Sequence, residues 1–151
     1  MKRYVVGFLF DQRGETVVLI QKNRPAWQAG KLNGVGGHIE DGEEPRDAMV
    51  REFFEKTGVC INPEEWEHVG TMHRPGPADA FECHVFRAFS EKWLNVCTMT
   101  DEVVTTYMVA TVIGSKNLAI TNLQWLIAMC VDQNTEGIPY YFDGKIFGRL
   151  P

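Results

Sequence analysis

Residues 37–59 read GHIEDGEEPRDAMVREFFEKTGV, a stretch that has the start and stop signals of a helix. Pro45 stands where a proline is favoured as the first helical residue, because its missing N–H would lack a helical partner there anyway. Gly58 suits the left-handed turn that ends many helices. The spacing therefore predicts a helix over residues 45–57.

The predicted helix is amphipathic. With about 3.6 residues per turn, its large apolar residues share one side, which we expect to pack against a sheet. These residues are Met49, Val50, Phe53 and Phe54. The other side carries Ala48, Arg51, Glu52, Glu55 and Lys56. Glu52 and Glu55 are three residues apart, so their carboxylates are close enough to share one ion.

Fixed spacings extend this pattern beyond the helix. Five residues separate Gly37 from Glu43, seven more lead to Arg51-Glu52, and Glu55 and Gly58-Val59 follow. Eight such matches arise by chance at on the order of one in 10⁸ sites. The segment resembles the box of the Nudix hydrolase family, G-x5-E-x7-R-E-U-x-E-E-x-G-U, in which U is aliphatic or aromatic.

The resemblance implies a fold and a chemistry. It implies one Nudix domain over residues 1–151, an α/β (α+β) fold in which a mixed β-sheet is sandwiched between helices. It also implies hydrolysis of the pyrophosphate linkage of a nucleoside diphosphate derivative, with Mg²⁺ as cofactor and Mn²⁺ as a substitute. Such chemistry needs cations, because the negative charge of a pyrophosphate repels nucleophiles.

Roles follow for the matching residues. By resemblance, Glu52 and Glu55 are metal ligands, and Glu52 also assists the attacking water. The carbonyl group of Gly37 is implied as a further ligand. Glu43 and Arg51 match an ion pair of the family that holds the loop on the helix.

One position departs from the pattern, because Lys56 stands where the family usually has Glu. Three interpretations remain: Lys56 swings away from a working site, it contacts a substrate phosphate, or it marks an impaired enzyme. A carboxylate from a later loop would compensate for the missing ligand. Glu102 is the candidate, with Asp101 in reserve and Glu40 as a weaker choice.

The residues before the box bear on substrate choice. Residues 27–37, WQAGKLNGVGG, resemble the approach to the box in enzymes that hydrolyse oxidised purine nucleoside triphosphates. Asn33 matches a base-contacting position there, and Asn122 matches a base-reading position of MutT-like sanitising enzymes. Trp27 is a candidate for base stacking and His38 for a phosphate contact. Each residue also has a structural interpretation: a turn, a helix N-cap, core packing or a strand position.

Three functions stay open at this point. A purine nucleoside triphosphate, oxidised or not, would be cut to monophosphate and pyrophosphate. ADP-ribose or another nucleotide sugar is the alternative, which Pro75 supports only weakly. The third is a nucleotide-binding module in which Lys56 has abolished hydrolysis.

The remaining elements are predicted from hydrophobic patterning. Strands are expected over residues 4–10, 16–21, 80–89 and 103–110, and extended segments over 59–61 and 68–73. Residues 90–100 are expected to form a loop, residues 122–131 a helix and residues 140–147 a final hairpin.

Composition narrows the class of protein. The chain has 151 residues, 44% of them hydrophobic, and a formal net charge of −5. This charge argues against a nucleic-acid polymer as partner, and no apolar run is long enough to span a bilayer. Four cysteines without a C-x-x-C pair suit reduced thiols, so we expect a cytoplasmic protein. The expected partner is a small nucleotide, bound by a monomer or a homodimer.

Overall fold

The computed structural model describes residues 1–78 and 80–132, and the backbone of residues 141–143. Its helices are α1 (Pro45–Thr57), α2 (Val109–Gly114) and α3 (Leu123–Val131). Its strands are β1 (Lys2–Phe10), β2 (Thr16–Gln21), β3 (Leu32–Asn33), β4 (Val35–His38), β5 (Glu67–Arg74), β6 (Phe81–Phe89), β7 (Val104–Met108) and β8 (Tyr141–Asp143). Short 3-10 helices span Pro63–Glu65 and Glu91–Asn95. None of the described helices is long and apolar enough to cross a membrane.

The strands form one mixed sheet. Strand β1 runs parallel to β6 and antiparallel to β4, and β6 continues through β5 to β8. Strand β2 carries β3 and β7 as antiparallel neighbours and joins β1 where Phe10 faces Val17. Antiparallel hairpins and parallel crossovers are thus combined, as the predicted mixed sheet requires.

A core layer covers each face of the sheet, because successive residues of a strand point to opposite faces. Along β1, Val5 and Leu9 join the α1 layer, which also contains Phe53 and Trp66. Phe8 and Phe10 join the layer formed with α2 and α3. The predicted sandwich of a mixed sheet between helices is therefore confirmed.

Helix α1 has the predicted bounds. Pro45 occupies its first turn, and Gly58 ends it with φ 72° and an N–H bond of 2.8 Å to the Phe54 carbonyl group. The predicted orientation of the helix was wrong in part, because Phe54 is exposed whereas Ala48 and Glu52 are buried. The helix is turned about its axis relative to this prediction, because Glu52 packs against Gly37 of β4, where the missing side chain leaves room for a carboxylate.

Two further predictions need correction. Residues 103–110 do not form one strand, since β7 ends at Met108 and α2 begins at Val109. Val109 and Val112 are buried one helical turn apart, and a β-branched segment of this kind is easily taken for a strand. Residues 90–100 contain a 3-10 helix, and residues 59–61 lie outside the strands of the described sheet.

The prediction at the C-terminus is tested only in part. Residues 141–143 form β8, which pairs in parallel with β5. The other residues of the predicted hairpin 140–147 lie outside the described part of the chain.

Close packing of β4 on β1 gives a stability prediction. A Cβ atom at Gly36 would lie 2.0 Å from the backbone oxygen of Val5, so one strand would have to move. Gly36→Ala should lower the free energy of unfolding by about 1–3 kcal/mol, the usual cost of overpacking. Gly76→Ala is the control, because its Cβ would meet no atom within 4 Å. Equal stability of the two variants in urea denaturation would contradict the described β1–β4 packing.

Candidate active site

The loop before α1 folds back onto the helix. Two bonds join Arg51 to Glu43: Nε donates to Oε1 at 2.8 Å and Nη2 to Oε2 at 2.9 Å. The same Oε2 atom accepts the Glu40 backbone N–H at 2.9 Å. Gly42, with φ 81°, makes the turn that returns the chain. The structure thus contains the ion pair that the resemblance implied, with the bidentate geometry that favours Arg over Lys.

Arg51 also organises the neighbouring carboxylates. Its Nη1 atom donates to Glu52 Oε1 at 3.0 Å and lies 3.5 Å from Glu55 Oε2. Its Nη2 atom donates to the His38 carbonyl group at 2.9 Å, which connects the helix to the end of β4. One guanidinium group therefore contacts the loop, the strand and both carboxylates of the helix.

These contacts shift the pKa of both partners of the ion pair. Hydrogen bonding to Arg51 lowers the pKa of Glu43 below its ordinary value, and this effect outweighs partial burial. The hydrogen bond to Glu43, helped by Glu52, raises the pKa of Arg51 above its ordinary value. Both side chains are therefore charged at neutral pH, as a fixed ion pair requires.

Glu52 lies against the backbone of β4. Glu52 is only 8% exposed, and a Cβ atom at Gly37 would come within 2.2 Å of its carboxylate. Only glycine fits this position without displacing Glu52. Glu55 is one helical turn away on the open side, with about half of its side chain exposed. The two carboxylates thus differ in environment: one is held against a strand, and the other faces solvent.

The oxygen atoms of the candidate active site suit a hard divalent cation. The carboxylate oxygens of Glu52 and Glu55 and the backbone oxygen of Gly37 are the ligand types that Mg²⁺ prefers. No group of three or more His, Cys, Asp or Glu side chains within the described residues is arranged as a metal site. Two carboxylates suffice for Mg²⁺, which commonly takes its remaining ligands from water and substrate phosphates.

The structure gives Glu102 two lysine partners. Lys56 Nζ lies 3.0 Å from Oε2 and Lys22 Nζ lies 2.6 Å from Oε1. Burial by itself would raise the pKa of Glu102, but the hydrogen bonds from Lys22 and Lys56 outweigh it and lower the pKa. Because both oxygens contact ammonium groups, Glu102 as described is a partner of the lysines. Its predicted role as a metal ligand stays a prediction.

Lys22 was missed by the sequence analysis. It follows β2, and the Gln21 N–H bond of 2.9 Å to the Val103 carbonyl group brings it beside Glu102. Alternation along β2 places Lys22 on the same face as Ile20, which packs in the α1 layer. That alternation was visible in the sequence, but the pairing of β2 with β7 was not.

The candidate base-recognition residues lie on different elements. Asn33 ends β3 and donates to Gln28 Oε1 at 3.3 Å, while its Oδ1 accepts the Gly34 N–H at 2.7 Å. Asn122 precedes α3 without a side-chain capping bond, and its Nδ2 lies 3.7 Å from Met72 Sδ. The two amides have separate partners, so a joint role in base recognition stays a prediction.

The other two candidates are exposed side chains. Trp27 is 66% exposed in the loop between β2 and β3 and is thus available for stacking. His38 ends β4, and its ring lies 4.4 Å from the ring of Tyr4, centroid to centroid. Its backbone carbonyl group, rather than its imidazole, contacts Arg51. Neither geometry identifies a ligand, so both assignments remain predictions.

Comparison with known proteins identifies the family. The NUDIX domain model matches residues 1–111, and the chain therefore belongs to the Nudix family. Over 54 residues it is 41% identical to the "Uncharacterized Nudix hydrolase YvcI" of Bacillus subtilis (strain 168), covering 35% of this chain and 32% of that protein. Over 79 residues it is 29% identical to the oxidized purine nucleoside triphosphate hydrolase of Danio rerio, covering 47% of this chain and 46% of that protein. The chain thus spans less than half the length of these curated relatives.

Solved structures share the fold at low identity. The MutT protein of Bacillus halodurans superposes with a TM-score of 0.68 at 16% identity, covering 96% of this chain and 92% of that one. The NUDIX domain of Shewanella oneidensis NrtR, solved with ADP ribose, gives a TM-score of 0.65 at 18% identity, covering 84% of each chain. These likenesses establish the Nudix fold.

The ion pair of Glu43 and Arg51 predicts a pH dependence of stability. Because the pKa of Glu43 is lowered in the folded protein, its stabilising effect is complete above the unfolded pKa and is lost as pH falls through the folded pKa. Glu43→Gln should cost about 1–2 kcal/mol at pH 7, and this difference should shrink as pH falls from about 6 to 3.

The neighbouring variant Glu44→Gln is the control, because Glu44 forms no side-chain capping bond. Urea denaturation at a series of pH values measures both differences. A cost of Glu43→Gln that stays constant down to pH 3 would contradict a charged pair.

Proposed function

We propose that this chain is a divalent-metal-dependent pyrophosphohydrolase whose substrate is a purine nucleoside triphosphate, with the oxidised forms included. Cleavage yields the nucleoside monophosphate and pyrophosphate. One observation carries the proposal: Arg51 contacts Glu52 at 3.0 Å and Glu55 at 3.5 Å, and Glu52 lies against the backbone of Gly37, so two carboxylates meet at the end of a strand. The match of residues 1–111 to the NUDIX domain model adds support.

Each residue of the proposed site has a separate role in hydrolysis. Glu52 and Glu55 would hold Mg²⁺ or Mn²⁺, with the backbone of Gly37 as a further oxygen donor. When bound, the ion neutralises phosphoryl oxygens and lowers the pKa of water. Arg51 donates to Oε1 of Glu52, and the same carboxylate would accept a proton from the attacking water. Water adds to phosphorus as the bridging P–O bond breaks, its proton passes to the Glu52 carboxylate, and the bridging oxygen leaves with both electrons of that bond on the pyrophosphate or the monophosphate.

The proposal of a purine triphosphate as substrate rests mainly on residues 27–37, which lead into the Nudix box. An Asn amide both donates and accepts, so Asn33 or Asn122 would pair with the edge of a purine, and Trp27 would stack on its face. His38, at the end of β4, would contact a phosphate. A relative from Danio rerio is described as an oxidized purine nucleoside triphosphate hydrolase, which favours this substrate class over nucleotide sugars.

The proposed setting is a single domain in the cytoplasm. All four cysteines are free, and Cys60 and Cys97 are exposed, as suits a reducing compartment. The formal net charge of −5 favours a small nucleotide, brought in with its metal ion, over a nucleic-acid polymer.

Removal of the buried carboxylate tests the proposal. Glu52→Gln should lower kcat by about 10²–10⁴-fold, because it removes a metal ligand and a proton acceptor together. The assay measures release of pyrophosphate with Mg²⁺ from ordinary and oxidised purine triphosphates, pyrimidine triphosphates and ADP-ribose. The surface variant Glu64→Gln is the control and should keep wild-type rates.

Each outcome of this panel has a distinct meaning. Purine triphosphate turnover lost in Glu52→Gln supports the proposal. Turnover of ADP-ribose instead, with two monophosphates as products, would show that the substrate is ADP-ribose and not a purine triphosphate. If the wild-type protein hydrolyses none of these nucleotides with either Mg²⁺ or Mn²⁺, the result would contradict hydrolysis and favour a nucleotide-binding module.

The contact between β4 and Glu52 gives a second prediction of activity. In Gly37→Ala the new methyl group would lie 2.2 Å from the Glu52 carboxylate, which is the movable end of a flexible side chain. The protein should therefore fold while Glu52 is displaced. We expect turnover to fall about 100-fold, as for other misplacements of about 1 Å. Thermal unfolding measured in parallel checks the fold, and wild-type turnover by Gly37→Ala would exclude Glu52 from the chemistry.

A further inference from the structure

Lys22, Glu102 and Lys56 form a charge cluster with an excess of one positive charge. The lysine Nζ atoms lie 2.6 and 3.0 Å from the two oxygens of Glu102. The side chains are 17%, 5% and 16% exposed, so all three groups are largely removed from water. One carboxylate balances only one of the two ammonium groups.

Backbone contacts fix the cluster in place. The Met99 N–H donates to the Lys56 carbonyl group at 3.2 Å, which anchors the loop of Glu102 on the end of α1. The Asn23 side chain donates to the Asp101 carbonyl group at 2.7 Å and ties the same loop to the end of β2. The loop that carries Glu102 is therefore fixed against the end of α1 and the end of β2, where Lys56 and Lys22 lie.

The cluster adjoins the carboxylates of the candidate active site. Lys56 follows Glu52 by one helical turn, so the two side chains lie on the same side of α1. Each ammonium group has three N–H donors. Lys56 donates one of them to Glu102 Oε2, and Lys22 forms an ion pair with Oε1. Phosphate oxygens are strong acceptors for such donors.

We propose that Lys22 and Lys56 form a binding site for the phosphate groups of the substrate that works without a metal ion. This inference rests on the proposed function for its ligand, a chain of linked phosphates. Glu102 balances one of the two positive charges and so limits the affinity of the pair for anions. Lys56 therefore contributes a fixed cation where the family usually has a carboxylate, and Lys22 completes the site.

The charges of the candidate active site and the adjoining lysine cluster, counted together, agree with a phosphate-binding role for Lys22 and Lys56. Its four carboxylates, on Glu43, Glu52, Glu55 and Glu102, face three cations on Lys22, Arg51 and Lys56. One net negative charge remains. Glu at position 56 would make this net charge more negative by two units. The chain consequently needs fewer bound cations to accept a polyphosphate.

Pyrophosphate binding in the presence of EDTA tests the proposal, with isothermal titration calorimetry as the measurement. The wild-type protein should bind inorganic pyrophosphate, and Lys56→Met and Lys22→Met should each weaken binding about tenfold or more, as expected for a lost charge-assisted bond. Lys56→Arg keeps the charge and should keep most of the affinity. Lys22→Met carries the test on its own if Lys56→Met does not fold.

Glu102→Gln is the matched control, because it breaks the same ion pairs but leaves both cations. Its affinity for pyrophosphate should equal or exceed that of the wild-type protein. If Glu102→Gln weakens binding as much as Lys56→Met, the cluster only supports the fold and the proposal is wrong. Absence of wild-type binding in EDTA would overturn it as well.

This test is separable from that of the proposed function. Glu52→Gln should lose hydrolysis yet bind pyrophosphate in EDTA. Hydrolysis by a wild-type protein that fails to bind pyrophosphate without metal would refute the phosphate site alone. Metal-free binding by a protein that hydrolyses none of the nucleotides would refute only the proposed activity.

Discussion

The guanidinium group of Arg51 is the constraint on which the site depends. It binds Glu43 through two hydrogen bonds of 2.8 and 2.9 Å, donates to the end of β4, and contacts both carboxylates of α1. A flexible ammonium group could not satisfy these partners together, because only the planar fork has donors in the required directions. The loop, the strand and the helix are thereby fixed relative to one another, and Glu52 and Glu55 both contact one guanidinium group.

The identity of Lys56 changes the electrostatics of this arrangement. Lysine at this position pairs with buried Glu102, which Lys22 also contacts, and the corner becomes less negative than the family pattern predicts. A buried ion pair contributes little net stability, because desolvation offsets most of its attraction. The cluster is therefore better explained by the position of its charges than by stabilisation of the fold. It places cations beside the carboxylates that would carry the chemistry.

Local features of the sequence predicted much of this structure. The bounds of α1 follow from Pro45 and Gly58, and the mixed sheet follows from alternating strands together with resemblance to the Nudix box. Features that depend on tertiary packing were not accessible. The exposure of Phe54 and the burial of Glu52 result from a glycine on β4, and Lys22 meets Glu102 only because β2 pairs with β7. Helix α2 was missed because its β-branched residues resemble a strand.

Direct location of the metal ion would show whether the carboxylates that contact Arg51 form the metal site. Crystals grown with Mn²⁺ and a non-hydrolysable purine triphosphate analogue would reveal manganese by its anomalous scattering. We expect a peak within ligand distance of Glu52 and Glu55, with the analogue's phosphates completing the coordination and Lys56 in contact with a phosphate oxygen. Manganese bound elsewhere, with both carboxylates still paired only to Arg51, would contradict this assignment of the metal site.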